Sequence, residues 1–276
     1  MSPRPRKRFA QHWLKSDRIL NNILAAAKLN KSDRILEIGP GTGIMTSRLL
    51  PESEAVLAVE IDRDLCKKLV RKFGDREDFL LLQGDILSFD LDANLVAFPR
   101  FQNPNKVVAN IPYNITGPIL EKLLGTIANP AQTNYQLIVL LLQKEVADRL
   151  VASPGTKAYG ALSVRVQYLA SCEYICDVPS KAFYPPPKVD SAVVRLTPKI
   201  VENPANNPKY LNTLLKLGFA TRRKMLKNNL KSIVECDRLT QILEQLNINP
   251  NCRAENLSLQ DWIALSDRLE AVKSNE

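Results

Sequence analysis

The stretch RILEIGPGTGIMTSRLL, residues 34–50, decides the fold. Its first part, RILEIG, is a short apolar run that predicts a buried β-strand, and its last part, GIMTSRLL, predicts a helix. Between them Gly39, Gly41 and Gly43 occupy alternate positions. Glycines so placed predict a tight turn whose backbone can approach a ligand closely.

The segments that follow repeat this alternation of strand and helix. Each strand-like run is almost entirely apolar, which is typical of parallel strands that are covered by helices on both faces. We therefore predict an α/β fold with a doubly wound, mainly parallel sheet. Its predicted strands are RILEIG, AVLAVEID, FLLLQGD, KVVAN and YQLIVLLLQ.

The pattern changes after residue 160. The runs LSVRVQYLASCEYICDV (residues 162–178) and DSAVVRL (residues 190–196) both predict strands, and the short connection between them favours an antiparallel addition at the sheet edge.

A segment rich in proline and asparagine, TPKIVENPANNPKYLN, then predicts a domain boundary. Everything beyond it predicts helices, including LLKLGFATRRKMLKNNLKSIV at residues 214–234. We predict an α/β domain with a basic N-terminal tail over residues 1–198 and a small all-helical domain over residues 199–276.

Composition excludes several classes of protein. Of 276 residues, 45% are hydrophobic, which is enough for a sizeable core, yet no apolar run approaches the roughly 18 residues of a membrane span. We expect no membrane association and no secretory signal. Five scattered cysteines predict reduced thiols and a cytoplasmic location. The single histidine, His12, excludes multi-histidine metal sites, and we expect no metal.

Positive charge is concentrated in one region. The net charge is +9, and no Asp or Glu occurs between Asn203 and Val234. An acid-free basic stretch of this length favours a surface for a polyanion such as RNA over an ordinary solvated face. A second basic segment is the tail with Arg4, Arg6, Lys7 and Arg8. The residues that we predict to bind RNA are Arg222, Arg223, Lys224, Lys227 and Lys231.

The residues at the predicted strand ends indicate a nucleoside ligand, because ligands of open α/β sheets bind at the carboxyl ends of the strands. The second and third strands end in Glu60-Ile61 and Asp85-Ile86. The Glu60 carboxylate could accept hydrogen bonds from two ribose hydroxyls, and the Asp85 carboxylate could accept one from an adenine amine. A dinucleotide site prefers the spacing GxGxxG, and Ile44 occupies its last position. S-adenosyl-L-methionine, which has no phosphate, is therefore the favoured cofactor.

The fourth strand runs into Asn110-Ile111-Pro112-Tyr113. Pro112 disfavours a helical backbone at the preceding residue, so Asn110 and Ile111 should stay extended. The Asn110 side-chain oxygen and the Ile111 carbonyl could then accept both hydrogens of an exocyclic amine. Tyr113 offers a flat face on which a base could stack. A turn cap and a core tyrosine are the structural alternative, which the neighbouring glycine loop makes less favourable.

Together these segments resemble a known family. An N-I-P-Y motif after strand four is similar to the motif of methyltransferases that act on amino groups. The whole chain resembles the small-subunit (16S) ribosomal RNA adenine-N6,N6-dimethyltransferases, in order from about residue 8 to 265. The segments that carry the resemblance are RFAQHWL, EIGPGTGIMT, VEID, GDIL, NIPYNIT, GALSVRVQY, FYPPPKVDSAVVRL and FATRRKMLKNNL.

The resemblance implies a class I, Rossmann-like methyltransferase domain with a seven-stranded sheet, followed by a helical domain. It implies dimethylation of two adjacent adenosines in a hairpin loop near the 3′ end of the small-subunit RNA, within the assembling 30S subunit, by a monomer. It places His12 and Leu14 at the cofactor with Gly39, Gly41, Glu60, Ile61, Asp85, Ile86 and Asn110. It also places Phe183 against the target base, opposite Tyr113.

Two positions depart from the family pattern: Trp13 stands where phenylalanine is usual, and Gly117 where serine or threonine often occurs. Neither departure removes a predicted catalytic group. Three other functions stay open at the level of the sequence. They are a large-subunit RNA methylase, which would lack FATRRKMLKNNL, an RNA-binding assembly factor with a vestigial pocket, and a nicotinamide oxidoreductase.

Overall fold

The structure is a computed structural model that describes residues 5–6, 11–132 and 135–273. Three members of the predicted basic tail, Arg4, Lys7 and Arg8, lie outside the described residues. In chain order the strands and helices are β1 (Trp13–Leu14), α1 (Asp17–Ala27), β2 (Arg34–Ile38), α2 (Thr46–Leu49), β3 (Ala55–Glu60), α3 (Arg63–Phe73), β4 (Phe79–Gln83), α4 (Leu91–Leu95), β5 (Lys106–Asn110), α5 (Thr116–Leu124), β6 (Leu137–Gln143), α6 (Lys144–Val151), α7 (Ala161–Leu169), β7 (Ala170–Val178), β8 (Phe183–Tyr184), β9 (Ser191–Pro198), α8 (Pro208–Gly218), α9 (Leu226–Leu230), α10 (Cys236–Gln245) and α11 (Leu259–Lys273).

These elements form two compact units. The first consists of Met1–Leu123, Gln132–Ala147 and Cys172–Pro198. The second consists of Leu124–Ala131, Asp148–Ser171 and Lys199–Glu276.

The first unit contains a seven-stranded sheet in the order β4-β3-β2-β5-β6-β9-β7. The strands from β4 to β6 are parallel, and β9 runs antiparallel to β6. This confirms the predicted mainly parallel, seven-stranded α/β sheet with an antiparallel addition. Because the parallel strands share one direction, their carboxyl ends place Ile38, Glu60, Gln83 and Asn110 along one edge.

The core of this unit forms where amphipathic helices cover the apolar strands. Helix α1 contributes Ile19, Leu20 and Ile23 to a buried cluster that also contains Val108 of β5 and Val139 of β6. Helices with apolar residues at this spacing bury one face against a sheet, and the burial stabilises both. The sheet is therefore a rigid support for the residues that follow its strand ends.

A two-stranded antiparallel ribbon, β1 with β8, belongs to the same unit. Its register pairs Trp13 with Tyr184 and Leu14 with Phe183. Paired residues of an antiparallel ladder project to the same face. Leu14 and Phe183 both lie in the buried core, with 5% and 1% of their surfaces exposed. Trp13 and Tyr184 consequently project to the opposite face of the ribbon.

The second unit is helical, and its core contains an aromatic cluster. The Phe219 ring lies 5.5 Å from that of Trp262 and 6.4 Å from that of Tyr159, measured between ring centroids. A Cβ atom on Gly218 would approach Trp262 to 2.5 Å, so only glycine lets α8 pack this closely. Tyr159 ties residues 148–171 to this unit.

The predicted domain boundary at residue 198 assigns residues 148–171 and 124–131 to the α/β domain, whereas in the structure both ranges belong to the second compact unit. The division at residue 198 stays a prediction.

Two predicted elements were wrong. Residues 162–169 were predicted as strand, but they form α7, which begins after Gly160. The Gly160 backbone N–H donates to Ser163 Oγ, which stabilises the first turn of the helix. The alternating pattern misled because α7 buries residues on several sides, including Ser163, Val164, Val166, Tyr168 and Leu169.

The predicted continuous helix at residues 214–234 is also interrupted. Helix α8 ends at Gly218, and α9 does not begin until Leu226. The Asn229 amide donates to the carbonyl oxygens of Gly218 (2.6 Å) and Thr221 (3.0 Å), which satisfies groups that the end of α8 leaves open. The basic residues 222–224 therefore lie in a turn.

Candidate active site

A cavity of about 320 Å³ opens at the carboxyl ends of the parallel strands in the first unit. The cavity includes most of the residues that the sequence predicts at the strand ends, together with the segment before β1. Its lining residues are Gln11, His12, Trp13, Ile38, Gly39, Gly41, Val59, Glu60, Ile61, Leu65, Gly84, Asp85, Ile86, Asn110, Ile111, Pro112, Tyr113, Asn114 and Ile115.

The glycine loop after β2 forms one wall of the cavity. Gly39, Gly41 and Gly43 have φ values of +68°, +60° and +75°, in the left-handed region that favours glycine. A Cβ atom on Gly43 would lie 2.7 Å from the Phe73 ring, and one on Gly41 would lie 3.2 Å from Trp13. The loop therefore needs glycine both for its backbone conformation and for its close packing.

Glu60, the last residue of β3, lies at the floor of the cavity with 4% of its surface exposed. Its Oε2 atom accepts a hydrogen bond from the Gly41 N–H (3.1 Å), and its Oε1 atom accepts one from the Asp62 N–H (2.8 Å). Burial raises the pKa of the Glu60 carboxyl, although these backbone donors partly oppose the shift. The carboxyl group is thus fixed in one orientation against the glycine loop.

Asp85, Ile61 and Ile86 form the part of the wall next to Glu60. Asp85 is exposed, and its Oδ1 atom accepts a hydrogen bond from the Leu87 N–H (3.0 Å). Ile86 is buried, whereas 45% of the Ile61 surface is exposed. An exposed isoleucine beside a fixed carboxylate suits a flat heterocycle with an amine at its edge.

Glu37 is a buried acid that lies behind the glycine loop. Its side chain is fully buried, and its Oε2 atom accepts a hydrogen bond from the Thr46 hydroxyl (2.7 Å). The Oε1 atom is buried and has no hydrogen-bond partner among the described residues. Burial, with a smaller contribution from the charge of Glu60, raises the pKa of Glu37 to about 8. The carboxyl is therefore predominantly protonated at neutral pH.

The motif after β5 adopts the predicted extended conformation. Pro112 has φ −61° and ψ 135°, and the Ile111 N–H donates to the Leu141 carbonyl (3.1 Å), which continues the sheet ladder by one residue. The Asn110 amide nitrogen donates to the His12 carbonyl (3.1 Å). That bond fixes the amide group and directs its Oδ1 atom away from the His12 carbonyl.

Tyr113 and His12 present two nearly parallel rings. Their centroids are 5.9 Å apart, and their planes differ by 16°. The Tyr113 hydroxyl shares a hydrogen bond of 2.6 Å with Ser191 Oγ at the start of β9. His12 Nδ1 lies 2.7 Å from the Pro185 carbonyl oxygen, which can only accept, so Nδ1 carries the hydrogen and Nε2 is the acceptor of the neutral ring.

The anchoring of the segment before β1 was missed at the level of the sequence. The Arg6 N–H donates to Gln11 Oε1 (2.9 Å), and the Gln11 amide nitrogen donates to Asp62 Oδ2 (3.0 Å). The Arg6 guanidinium also pairs with Asp62 (3.2 Å) and with Asp64. Asp62, an acid two residues after Glu60, was the sequence signal from which a partner for these residues could have been predicted. Asp62 thereby holds Gln11, the neighbour of His12, whose carbonyl accepts the hydrogen bond that orients Asn110.

The structure does not bring Phe183 to the cavity. Its pairing with Leu14 turns both side chains into the core, so the ring that faces Tyr113 is His12. Leu14 lines a smaller neighbouring cavity of about 30 Å³, which shares Gly39 with the main one. The predicted role of Phe183 at the target base stays a prediction that these contacts do not support.

The two departures from the family pattern differ in their surroundings. Trp13 packs on Gly41 and lines the cavity, and its buried indole Nε1 atom has no hydrogen-bond partner in the part of the chain that the structure describes. Gly117 is exposed, and an added Cβ atom would meet no atom of the described residues within 4 Å. Of the two departures, only Trp13 contributes a side chain to the cavity wall.

The predicted RNA-binding residues lie in the second unit, and most of them are exposed. Arg223, Lys224 and Lys231 are exposed side chains, and Lys227, which is partly buried, bonds to Asn251 Oδ1 (3.1 Å). Arg222 instead pairs with Glu255 (2.9 Å) and donates to the backbone carbonyl of Lys157, within the same unit. Its guanidinium thus contributes to the structure of the unit.

None of the helices in the described part of the chain is long and apolar enough to cross a membrane.

Comparison with known proteins places the chain among RNA methyltransferases. The family described as ribosomal RNA adenine dimethylase matches residues 3–271. A protein of Rippkaea orientalis named ribosomal RNA small subunit methyltransferase A is 67% identical over 270 residues, covering 98% of this chain and 99% of that protein. The protein of the same name from Trichormus variabilis is 66% identical, covering 96% and 98%.

Solved structures give the same result for the fold. A dimethyladenosine transferase from Plasmodium falciparum has a TM-score of 0.79 at 29% identity and covers 96% of this chain and 98% of its own. The 23S rRNA methyltransferase ErmE has a TM-score of 0.72 at 23% identity, covering 94% and 99%, which shows a shared fold. The class I methyltransferase fold predicted from the sequence is confirmed.

Proposed function

The chain belongs to the ribosomal RNA adenine dimethylase family, and we propose that it dimethylates N6 of two adjacent adenosines in a hairpin loop near the 3′ end of small-subunit ribosomal RNA. The methyl donor is S-adenosyl-L-methionine. The observation that carries the assignment of the site is the position of Asn110: it is the last residue of β5 and lines the same cavity as Glu60 and Asp85. An amine-orienting group therefore lies beside a nucleoside-binding one.

The residues of the cavity fit the cofactor. Glu60 provides buried carboxylate oxygens for the ribose hydroxyls, and Asp85 provides an acceptor for the adenine amine beside Ile61 and Ile86. The left-handed glycines leave a cradle without Cβ atoms. The Trp13 indole N–H, which no described residue accepts, offers one donor to the contents of the cradle. When bound, S-adenosyl-L-methionine supplies an electrophilic methyl group on a sulfonium.

Asn110 and Ile111 orient the amine of the target. An adenine amine is a poor nucleophile because its lone pair is delocalised into the ring. The Asn110 Oδ1 atom and the Ile111 carbonyl oxygen each accept one of its hydrogens, which localises the lone pair and directs it at the methyl group. Orientation of this kind can supply several of the roughly 7–11 kcal/mol available to positioned reactants.

Tyr113 holds the base flat while the amine is oriented. Its ring is fixed by the Ser191 hydrogen bond, so little side-chain entropy is lost when a base stacks on it. The base must leave its own stack first, and this costs least in a loop. His12, which faces Tyr113, limits the space available to the base.

The helical unit supplies the sequence-independent affinity for RNA. Exposed Arg223, Lys224 and Lys231 can neutralise phosphates, and binding of this kind weakens steeply with salt. The relatives' name specifies the small subunit, which supports the assembling 30S particle as the partner over the large subunit. We propose a monomer that acts in the cytoplasm.

Labelled methyl transfer to unmodified small subunits, with large subunits as the comparison, tests the function. Nucleoside analysis should find N6,N6-dimethyladenosine in the small-subunit RNA. Asn110→Ala should lower kcat by at least about 100-fold, the scale seen when one group that positions the transition state is removed. Its affinity for the cofactor should stay within about threefold of the wild type, because Glu60 and Asp85 remain.

Asn94→Ala is the matched control, since Asn94 is an exposed amide on α4 that does not line the cavity. It should leave kcat unchanged. Near-normal turnover by Asn110→Ala would overturn the role of the motif, and label in the large subunit alone would overturn the substrate.

A further inference from the structure

We propose that Tyr184 and Lys15 form a second nucleotide subsite, which holds the RNA base next to the one in the catalytic cavity. The inference rests on the proposed function, because it assigns part of the substrate to a surface beside the same cavity. Tyr184 has 55% of its surface exposed, although it is a large aromatic residue in a strand. An aromatic ring exposed to this extent is a candidate platform for a base.

The position of Tyr184 follows from the ribbon that β1 forms with β8. Tyr184 is paired with Trp13, so both side chains project to the same face, and Trp13 lines the catalytic cavity. The neighbouring pair, Leu14 and Phe183, occupies the opposite, buried face. Tyr184 is therefore the direct cross-strand partner of a residue in the cavity wall.

A positive charge accompanies the ring. The Lys15 ammonium lies 5.8 Å from the centroid of Tyr184, and both side chains are exposed. A stacking face beside a cation is the combination by which proteins bind single-stranded nucleic acid, since the ring takes the base and the cation takes the phosphate. A protein partner would not need an aromatic ring beside a cation, so the chemistry favours a nucleotide that is not base-paired.

The subsite is built on a fixed backbone. The Lys15 N–H donates to the Ala182 carbonyl (2.8 Å), and His12 Nδ1 donates to the Pro185 carbonyl (2.7 Å). These two bonds flank Tyr184 and join its loop to the residue that faces Tyr113. A base on Tyr184 and a base on Tyr113 would thus be held by one connected element, which suits adjacent nucleotides of the same strand.

Steady-state methylation of unmodified small subunits tests the subsite. Tyr184→Ala should raise KM for the subunit about tenfold, as expected when one stacked base loses its aromatic platform, and should leave the dissociation constant for S-adenosyl-L-methionine unchanged. Tyr184→Phe keeps the ring and should stay within about twofold of the wild type. Phe98→Ala removes another exposed aromatic ring, outside the cavity lining, and should change neither constant.

A second readout reports on stacking directly. A short hairpin RNA that carries 2-aminopurine next to the target adenosine should lose fluorescence on binding to the wild type and to Tyr184→Phe, but less so with Tyr184→Ala. Equal KM values for wild type and Tyr184→Ala, or equal quenching by both, would overturn the subsite. Because the wild type would still methylate its RNA, that result leaves the proposed function standing.

Discussion

The two ends of the central strands β2 and β5 use buried charge in opposite ways. At the amino end, Lys106 pairs with Asp33 at 2.7 Å and also donates to the Lys28 carbonyl at 2.6 Å. The Asn105 amide donates to the other Asp33 oxygen at 2.8 Å. Although burial alone would raise the pKa of Asp33, the bonds from Lys106 and Asn105 lower it overall. Both buried charges have partners.

At the carboxyl end the buried polar atoms are incompletely satisfied. Glu37 keeps one buried oxygen that bonds to none of the described residues, and burial raises the pKa values of both Glu37 and Glu60. Native proteins pair nearly all of their buried polar groups, so exceptions need an explanation. The contrast teaches that the amino end of the sheet stabilises the fold with paired charges, whereas the carboxyl end, where the cavity opens, contains buried acids whose ionised forms are costly.

Removing the buried ion pair at the amino end of the strands should have the larger effect on the free energy of unfolding. Lys106→Met leaves Asp33 as a buried charge without its partner and should lower the free energy of unfolding by about 3–5 kcal/mol. Urea unfolding measures the change. Cofactor affinity of the folded protein should stay the same, because Lys106 lies at the far end of β5.

The control is Arg76→Met, which removes a more exposed pair with Asp78. Surface pairs contribute at most about 1 kcal/mol, so this variant should unfold near the wild-type urea concentration. If both variants lost the same stability, the amino end would have no special role.

Glu37→Gln sharpens the comparison through pH. The pKa of Glu37 is raised from 4.5 to about 8 in the folded protein. Between these values the unfolded chain has released a proton that the folded chain retains, so stability falls as pH rises, and above about 8 the loss is complete. From pH 6.5 to 8 the wild type should lose about 2 kcal/mol more than Glu37→Gln.

Urea unfolding at several pH values measures both curves. The lowered pKa of Asp33 acts in the opposite sense, since its contribution is present at neutral pH and is lost in acid. Parallel curves for wild type and Glu37→Gln above pH 5 would show that Glu37 is ionised in the folded state.

Asp85→Asn should have the smallest effect, confined to binding. Loss of one charge-assisted hydrogen bond should lower the affinity for S-adenosyl-L-methionine about tenfold, as measured by calorimetry. The free energy of unfolding should be nearly unchanged because Asp85 is exposed. Asp90→Asn is the matched control: its Oδ1 atom caps α4 at the Ala93 N–H (3.0 Å), outside the cavity lining. Equal affinities for the two variants would remove Asp85 from the cofactor site.

The sequence could predict the sheet because its parallel strands are nearly continuous apolar runs, with a glycine turn that few other folds require. It failed for α7, where alternation at Val164, Val166 and Tyr168 suggested a strand. Burial on several sides of a short helix erases the period of 3.6 residues on which prediction depends. The break at residues 219–225 was missed because a tertiary hydrogen bond from Asn229 stabilises it.

By itself, the sequence determined the residue types at the strand ends. Glu60 and Asn110 end their strands, Asp85 comes two residues after β4, and parallel strands must bring such residues to one edge. Only the tertiary structure decided which rings meet there. His12 faces Tyr113 while Phe183 enters the core, because the register of β1 on β8 fixes the face on which each side chain projects. Pairing register is a long-range property that a local pattern does not contain.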